Sequence, residues 1–392
     1  MPSLLFISLL LFSLSLCASS DSLPPSESSQ QKEGDFTVFG YLPEWRTKAF
    51  SWAAAATRLT HVILFSLEIK TNGRITELER LPPKDVIADI RKTMETTGLN
   101  VLLCFGGNGR SDGFSIVARR SKPRKRFLSE LAILMTRMRI NGVDLNWEYP
   151  GYRFGRGYLP DVEVENDYEG FRGLIEDMRK TFDDLSLTLG YRLQITLAYY
   201  PDGRQEELLS RHGILDLVDH AHTMAYDAPG GNHAPLSLAH KVIQNAKAHS
   251  LPLHKITLGV PFYGRDVRTG DWKTYEDIVG TLDEKRAAAN EVVIGGETIG
   301  YNGIDMIREK ASLAVDAGLG GLMIWEVGQD CRIEEVIRGD DVHKVTCPDV
   351  TWSLLEAIDQ TLKDKIGEEW RGWLEPQFLR PSEESAKPKE EL

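Results

Sequence analysis

The chain has 392 residues but only four cysteines, and no cysteine or histidine cluster has the spacing of a zinc site. Basic residues are in deficit: 46 Lys plus Arg stand against 58 Asp plus Glu, for a formal net charge of −12. Phosphate backbones and anionic membranes are therefore excluded as partners, while a neutral ligand is indifferent to the charge. There is no Asn-x-Ser/Thr sequon, so N-glycosylation is not expected. No repeat of fixed short period occurs, and nothing beyond the N-terminal run is apolar enough to cross a bilayer.

The first twenty residues, "MPSLLFISLLLFSLSLCASS", are an apolar run followed by small residues. They read as a secretory signal over 1–19, although the run has no Lys or Arg before it, and a membrane anchor is the competing reading. A polar Pro/Ser-rich linker follows over 20–35. One large domain is expected over 36–374 and an unfolded polar tail over 375–392. The tail ends in "KEEL", which resembles the KDEL-type signal read by a retention receptor of the endoplasmic reticulum. The expected location is the secretory pathway: the reticulum lumen if the tail is read, the exterior if it is not. Cys17 leaves with the signal and Cys104 lies in an apolar run. Cys331 and Cys347 remain as a disulfide candidate whose pairing the sequence leaves open.

Between the linker and the tail, short apolar runs alternate with amphipathic segments. The runs are "FTVFGYLP", "THVILFSLEI", "LNVLLCFGG", "INGVDLNWEY", "RLQITLAYY", "HAHTMAYD", "ITLGVPFYG" and "GLMIWEV". Runs apolar on both faces, alternating with helices, predict a parallel sheet covered by helices, and eight of them predict an α/β fold closed as a (β/α)8 TIM barrel. An open doubly wound sheet would need a glycine-rich turn after its first strand, and "GYLPEWR" lacks it. In a barrel, chemistry gathers at the C-terminal strand ends. Those ends carry Tyr41, Trp45, Gly106, Gly107, Asn146, Glu148, Tyr149, Tyr199, Tyr200, Tyr226, Asp227, Tyr263, Arg265, Trp325 and Glu326. Flat rings mixed with carboxyl and amide groups suit a sugar, whose C–H faces stack on rings and whose hydroxyls need hydrogen-bond partners.

At this point the residues resemble family-18 glycoside hydrolases, the chitinases and their relatives. "NGVDLNWEYPG" is similar to the family's strand-four signature D-G-x-D-x-D-x-E. "FGYLPEW", "LLCFGG", "TMAYD", "GVPFYGR" and "GGLMIWE" resemble the motifs of strands one, three, six, seven and eight, in order, over Phe36 to Asp330. The resemblance implies a retaining, substrate-assisted glycosidase with no metal and no cofactor, which cleaves β-1,4 bonds at N-acetylglucosamine. Carried over by position, it makes Glu148 the general acid and Asp144 the inner buried carboxylate. Tyr226 and Asp227 would hold the acetamido group, Tyr41 would line its subsite and Trp325 would form its floor. Trp147, Tyr149 and Met224 complete the expected substrate-binding set.

The chain departs from the family pattern at Asn141, Asn146 and Cys104, where the family has Asp, Asp and Ser. Asn146 keeps an acceptor for an acetamido N–H but brings no charge. A lost electrostatic group of this kind commonly costs about 10²–10³ in rate, so reduced activity is expected. Without a neighbouring carboxylate, Glu148 should release its proton at lower pH than in an Asp-bearing relative. About fifty residues separate "GVPFYGR" from "GGLMIWE", which leaves no room for the large insertion domain of many relatives, so an open cleft is expected. Trp272 could stand at its rim or pack a loop. The expected partner is an oligosaccharide or glycan containing N-acetylglucosamine. Two alternatives stay open: an endo-β-N-acetylglucosaminidase acting on N-glycan cores, since an Asn two residues before the acid also occurs in such enzymes, and a chito-oligosaccharide-binding lectin with little turnover.

Overall fold

The computed structural model describes residues 36–281 and 289–371. The expected signal, linker and tail with its KEEL terminus lie outside the described residues. Eight parallel strands close into a barrel: β1 Thr37–Pro43, β2 His61–Ile69, β3 Asn100–Gly106, β4 Gly142–Asn146, β5 Gln194–Tyr199, β6 His220–Thr223, β7 Ile256–Pro261 and β8 Gly321–Trp325. Closure is made where β1 pairs with β8 on one side, Thr37 opposite Gly321, and with β2 on the other, Phe39 opposite His61.

The pleat sorts the side chains. Phe39, Tyr41, Leu102, Cys104 and Met323 point inward and form one buried cluster. Their chain neighbours Val38, Leu42, Val101, Leu103 and Phe105 point outward and join the helices in a second, larger core. The helical layer includes α1 Trp52–Ala56, α2 Lys84–Thr97, α3 Phe114–Arg119, α4 Ser121–Met138, α5 Asp161–Leu189, α6 Arg204–Arg211 and α7 Leu236–Ala248. Further along the chain lie α8 Tyr275–Val279, α9 Ile304–Asp316 and α10 Leu354–Ile366. In α5, Val164, Tyr168, Phe171, Leu174, Ile175, Met178 and Phe182 are buried, at the three-and-four spacing of one helical stripe. α5 ends at Gly190, whose φ of 82° is the left-handed cap that releases a helix.

The interval between β7 and β8 is not bare. It holds a small four-stranded antiparallel sheet of Tyr263–Asp266, Trp272–Thr274, Glu291–Ile294 and Glu297–Gly300, together with α8. This sheet is far smaller than a separate domain, and it builds one side of the barrel mouth. Cys331 and Cys347 are joined, which settles the pairing left open above. Cys104 is free and buried. Among the described residues no helix is long and apolar enough to cross a membrane, and no group of three or more His, Cys, Asp or Glu side chains is arranged to hold a metal ion.

Candidate active site

β4 builds the centre of the site. Its period of two places Asp144 and Asn146 inside the barrel, with Glu148 following on the same side. The barrel register sets Cys104 of β3 opposite Asp144, and Asp144 opposite Thr196 of β5. Asp144 is wholly buried and fully engaged. The Tyr41 hydroxyl donates to its Oδ2 at 2.7 Å, the Thr196 hydroxyl donates to its Oδ1 at 2.8 Å, and the Cys104 thiol also bonds it. Burial raises its proton affinity, against those three hydrogen bonds. Below it, His222 Nε2 lies 3.9 Å from Asp144 Oδ1.

Glu148 opens into the cleft. Burial pushes its carboxyl up to about 7; a hydrogen bond from the Asn146 side chain opposes the rise, the charge of Asp227 adds to it, and a backbone hydrogen bond from Asn108 again opposes it. The Ser111 hydroxyl accepts from the Glu148 backbone N–H at 3.3 Å. Asn146 is buried, and its Oδ1 has no hydrogen-bond partner. The β3–α3 turn must lie close against this row: a Cβ on Gly106 would sit 2.3 Å from Asn146 O, and one on Gly107 would sit 2.4 Å from the Phe65 ring. Both glycines also have positive φ, 99° and 109°. Asn141, the first residue of the motif, does structural work: its Oδ1 accepts from the Val101 N–H at 2.8 Å and ties β4 to β3.

The cleft has a volume of about 560 Å³ and is lined by Glu148, Tyr149, Met224, Tyr226 and Asp227, together with Tyr200, Arg265 and His233. Asp227 takes a left-handed φ of 60°, a conformation that Asp tolerates better than most residues. The Tyr263 hydroxyl donates to its Oδ1 at 2.5 Å, and Arg265 grips both carboxylate oxygens at 2.6 Å. Burial alone would raise its proton affinity, but hydrogen bonds from His233, Arg265 and Tyr263 hold it down at about 2. Tyr41 and Trp325 lie deeper: Tyr41 is buried, and Trp325 packs on it at 5.4 Å and on Phe65 at 4.8 Å between ring centroids. The Trp325–Glu326 and Glu148–Tyr149 peptides are cis.

One expected contact fails. Trp147 lies on the outer face of β4, buried between Phe114 of α3 (5.4 Å) and Phe171 of α5 (5.4 Å). The alternation that brings Asn146 and Glu148 inward sends the residue between them outward. Tyr199 likewise turns into the outer core, and Tyr200 meets the cleft instead. Several lining residues carried no sequence signal used above: Asn108, Tyr152, Phe154 and Arg268. Tyr152 and Phe154 ride on a short hairpin in which Tyr152–Arg153 pairs with Gly157–Tyr158. The alternation of aromatics and glycines in "GYRFGRGY" is the signal that could have found it.

Comparison with known proteins places this geometry. Residues 37–330 match the family model described as glycosyl hydrolases family 18. The chain is 22% identical over 404 residues to Endochitinase 1 of Metarhizium robertsii, covering 86% of this chain and 91% of that one. Among solved structures it is similar to the chitinase ChiB of Flavobacterium johnsoniae, with a TM-score of 0.64, 22% identity and coverage of 84% and 95%. It is also similar to catalytic domain 2 of the Group II chitinase of Ostrinia furnacalis, solved with penta-N-acetylchitooctaose, with a TM-score of 0.66, 17% identity and coverage of 85% and 98%.

Proposed function

The chain belongs to glycosyl hydrolase family 18, and from that premise we propose that it is a retaining glycosidase that cleaves β-1,4 bonds at N-acetylglucosamine, with Glu148 as acid and the substrate's own amide as nucleophile. The observation that carries this reading is that the two aspartates carried over to the site, Asp144 and Asp227, are both committed to partners within the protein. A two-carboxylate retaining enzyme needs a second carboxyl about 5–5.5 Å from the first. Here Asp144 is sealed beneath the cleft with both oxygens bonded, and both oxygens of Asp227 are held by Arg265. This supports a nucleophile that comes from the sugar.

In the first step the Glu148 proton passes to the glycosidic oxygen as the bond from C1 to that oxygen breaks. The acetamido carbonyl oxygen bonds to C1 and gives a cyclic oxazolinium ion. Water then attacks C1 and gives its proton to the Glu148 carboxylate, which restores the amide and the original configuration. The unpartnered Asn146 Oδ1 supports this reading, since a buried acceptor without a donor is costly unless a ligand N–H reaches it. A Glu148 carboxyl that ionises at about 7 is a proton donor at neutral and lower pH. The disulfide supports passage through an oxidising compartment, in keeping with the secretory signal expected from the sequence.

The test is turnover of chitotetraose and, separately, of a high-mannose glycopeptide. Cleavage of chitotetraose, lost in Glu148→Gln, supports the chitinase-like reading. Cleavage of only the glycopeptide moves the substrate to N-glycan cores. Binding of either without cleavage, unchanged by the mutation, sinks the enzyme and leaves a lectin.

A further inference from the structure

Tyr263 and Arg265, which with His233 hold Asp227, sit two residues apart on one face of the strand Tyr263–Asp266. In the antiparallel neighbour, Trp272 is registered directly opposite Arg265. Its indole lies flat on the Tyr263 ring, with centroids 4.2 Å apart and planes 6° from parallel. The guanidinium carbon of Arg265 lies 4.6 Å from the indole centroid. The opposite edge of the same guanidinium donates to Gly270 O at 2.9 Å, in the turn that leads to Trp272. Trp272 is 46% exposed and does not line the cleft. It therefore touches two of the groups that hold Asp227 while staying outside the lining of the cleft above Glu148. A half-exposed ring contributes little to a core. One that stacks a phenol and covers a guanidinium restricts both.

We propose that Trp272 is a positioning residue: by stacking Tyr263 and covering Arg265 it keeps Asp227 ionised and aimed at the sugar bound over Glu148, and so sets the pH range in which the site works. This deepens the functional reading above and rests on it. Without the indole, the guanidinium hydrates on its open side and the two-pronged grip on Asp227 loosens. Asp227 then binds a proton at higher pH. Its charge, less well neutralised while it lasts, acts more strongly on Glu148, which also holds its proton to higher pH. The other groups facing these two carboxyls do not change. Around Asp227 they are His233 of its own loop, with Nδ1 3.5 Å from Oδ1, and Tyr149, Tyr200, Tyr226 and Glu148 across the cleft. Around Glu148 they are the Asn146 side chain and the Asn108 backbone, with Cys104 beneath and Tyr149 and Tyr226 beside it.

The experiment compares wild type, Trp272→Ala, Trp272→Leu and Trp272→Phe in two readouts: the pH profile of kcat/KM on chitotetraose, and the midpoint of the Asp227 carboxyl by ¹³C NMR. Both limbs of the profile are expected to move up by roughly half a pH unit or more in the Ala and Leu variants, with the Asp227 midpoint rising alongside. Trp272→Phe, which keeps a ring over Tyr263, should return them toward wild type. A uniform loss of activity at every pH, with limbs and midpoint unmoved, marks Trp272 as a packing residue and overturns the proposal. The Leu variant keeps apolar cover should the Ala variant not fold. If wild type cleaves nothing, the glycosidase reading fails by itself. The NMR midpoint then still decides this one, a rise in Trp272→Leu supporting it and no change overturning it.

Discussion

Asp144 under the cleft and Asp227 on its wall are the same residue type in one protein, each bonded by several donors. The donors of Asp144 are neutral: Tyr41, Thr196 and Cys104. Burial wins there, and the carboxyl binds protons more tightly than usual. Asp227 keeps partial access to water, and hydrogen bonds from His233, Arg265 and Tyr263, joined by the Arg265 charge, hold its carboxyl at about 2. At Asp144 three uncharged hydrogen bonds only soften the penalty of complete burial, whereas at Asp227 lesser burial, three hydrogen bonds and the Arg265 charge together reverse it. The floor of the site is thus a satisfied but fragile polar core, and the wall a durable ion. Glu148 stands between them, buried enough to hold its proton to about 7 yet open to the cleft.

The largest way to break this picture is at Glu148 itself. Glu148→Gln should lower kcat on chitotetraose by about 10³-fold or more, while calorimetry shows binding retained. Loss of binding instead would mean that the side chain holds sugar and moves no proton.

Next comes acid. The floor rests on buried neutral imidazoles: burial lowers His61 to about 3 and His220 to about 4. An unfolded His takes up a proton near 6.5, so the unfolded chain binds more protons below that pH and stability falls as pH drops. Each of these imidazoles costs about 1.4 kcal/mol per pH unit from roughly 6.5 down to its folded value. Asp227, with its folded value depressed, contributes stability above the ordinary carboxylate range, and that is lost as pH falls from that range through about 2. The raised carboxyls of Glu148, Glu326 and Asp330 gain stability as pH falls through the same window, so the test is a difference: the melting temperature of wild type minus that of His61→Gln should fall between pH 6.5 and 4. A difference that stays constant there would remove the floor from the comparison.

The third test contrasts the two aspartates directly. Asp144→Ala strands the Tyr41 and Thr196 hydroxyls in a sealed interior and should cost about 3 kcal/mol in denaturant unfolding. Asp227→Ala leaves the partly exposed Arg265 guanidinium beside water and unpairs one buried hydroxyl, that of Tyr263, and should cost less, about 1–2 kcal/mol. Equal losses would show that sealing does not distinguish them. The smallest effect sharpens the account of Glu148: Asn146→Asp adds a like charge beside it, and the alkaline limb of the pH profile should rise by roughly one unit. Coincident alkaline limbs in the two proteins would contradict it.

Much of this was legible in the chain. Eight apolar runs spaced by amphipathic segments announce the barrel, and the spacing of Asp144, Asn146 and Glu148 puts three polar groups on one face of β4. The same pleat should have sent Trp147 outward, and the expectation of a sugar contact there fails because it follows the motif's adjacency and ignores the alternation. The hairpin carrying Tyr152 and Phe154 was readable from turn residues, but its reach into the cleft depends on where β4 ends. The choice of Tyr200 over Tyr199 was equally hidden, since a strand's last inward position is set by its neighbours' register.

What the sequence alone determined is therefore local and periodic: strand faces, helix stripes, the polar row of β4 and the charge that suits a neutral ligand. Folding decided the proton affinities. Asp227 and Arg265 are 38 positions apart and meet only because the strand Tyr263–Asp266 folds back over the barrel mouth. Asp144 gains its neutral surroundings only when β1, β3 and β5 close around β4. A carboxyl's affinity for its proton depends on dielectric and charge within a few ångströms, and in this chain those neighbours come from distant parts of the sequence.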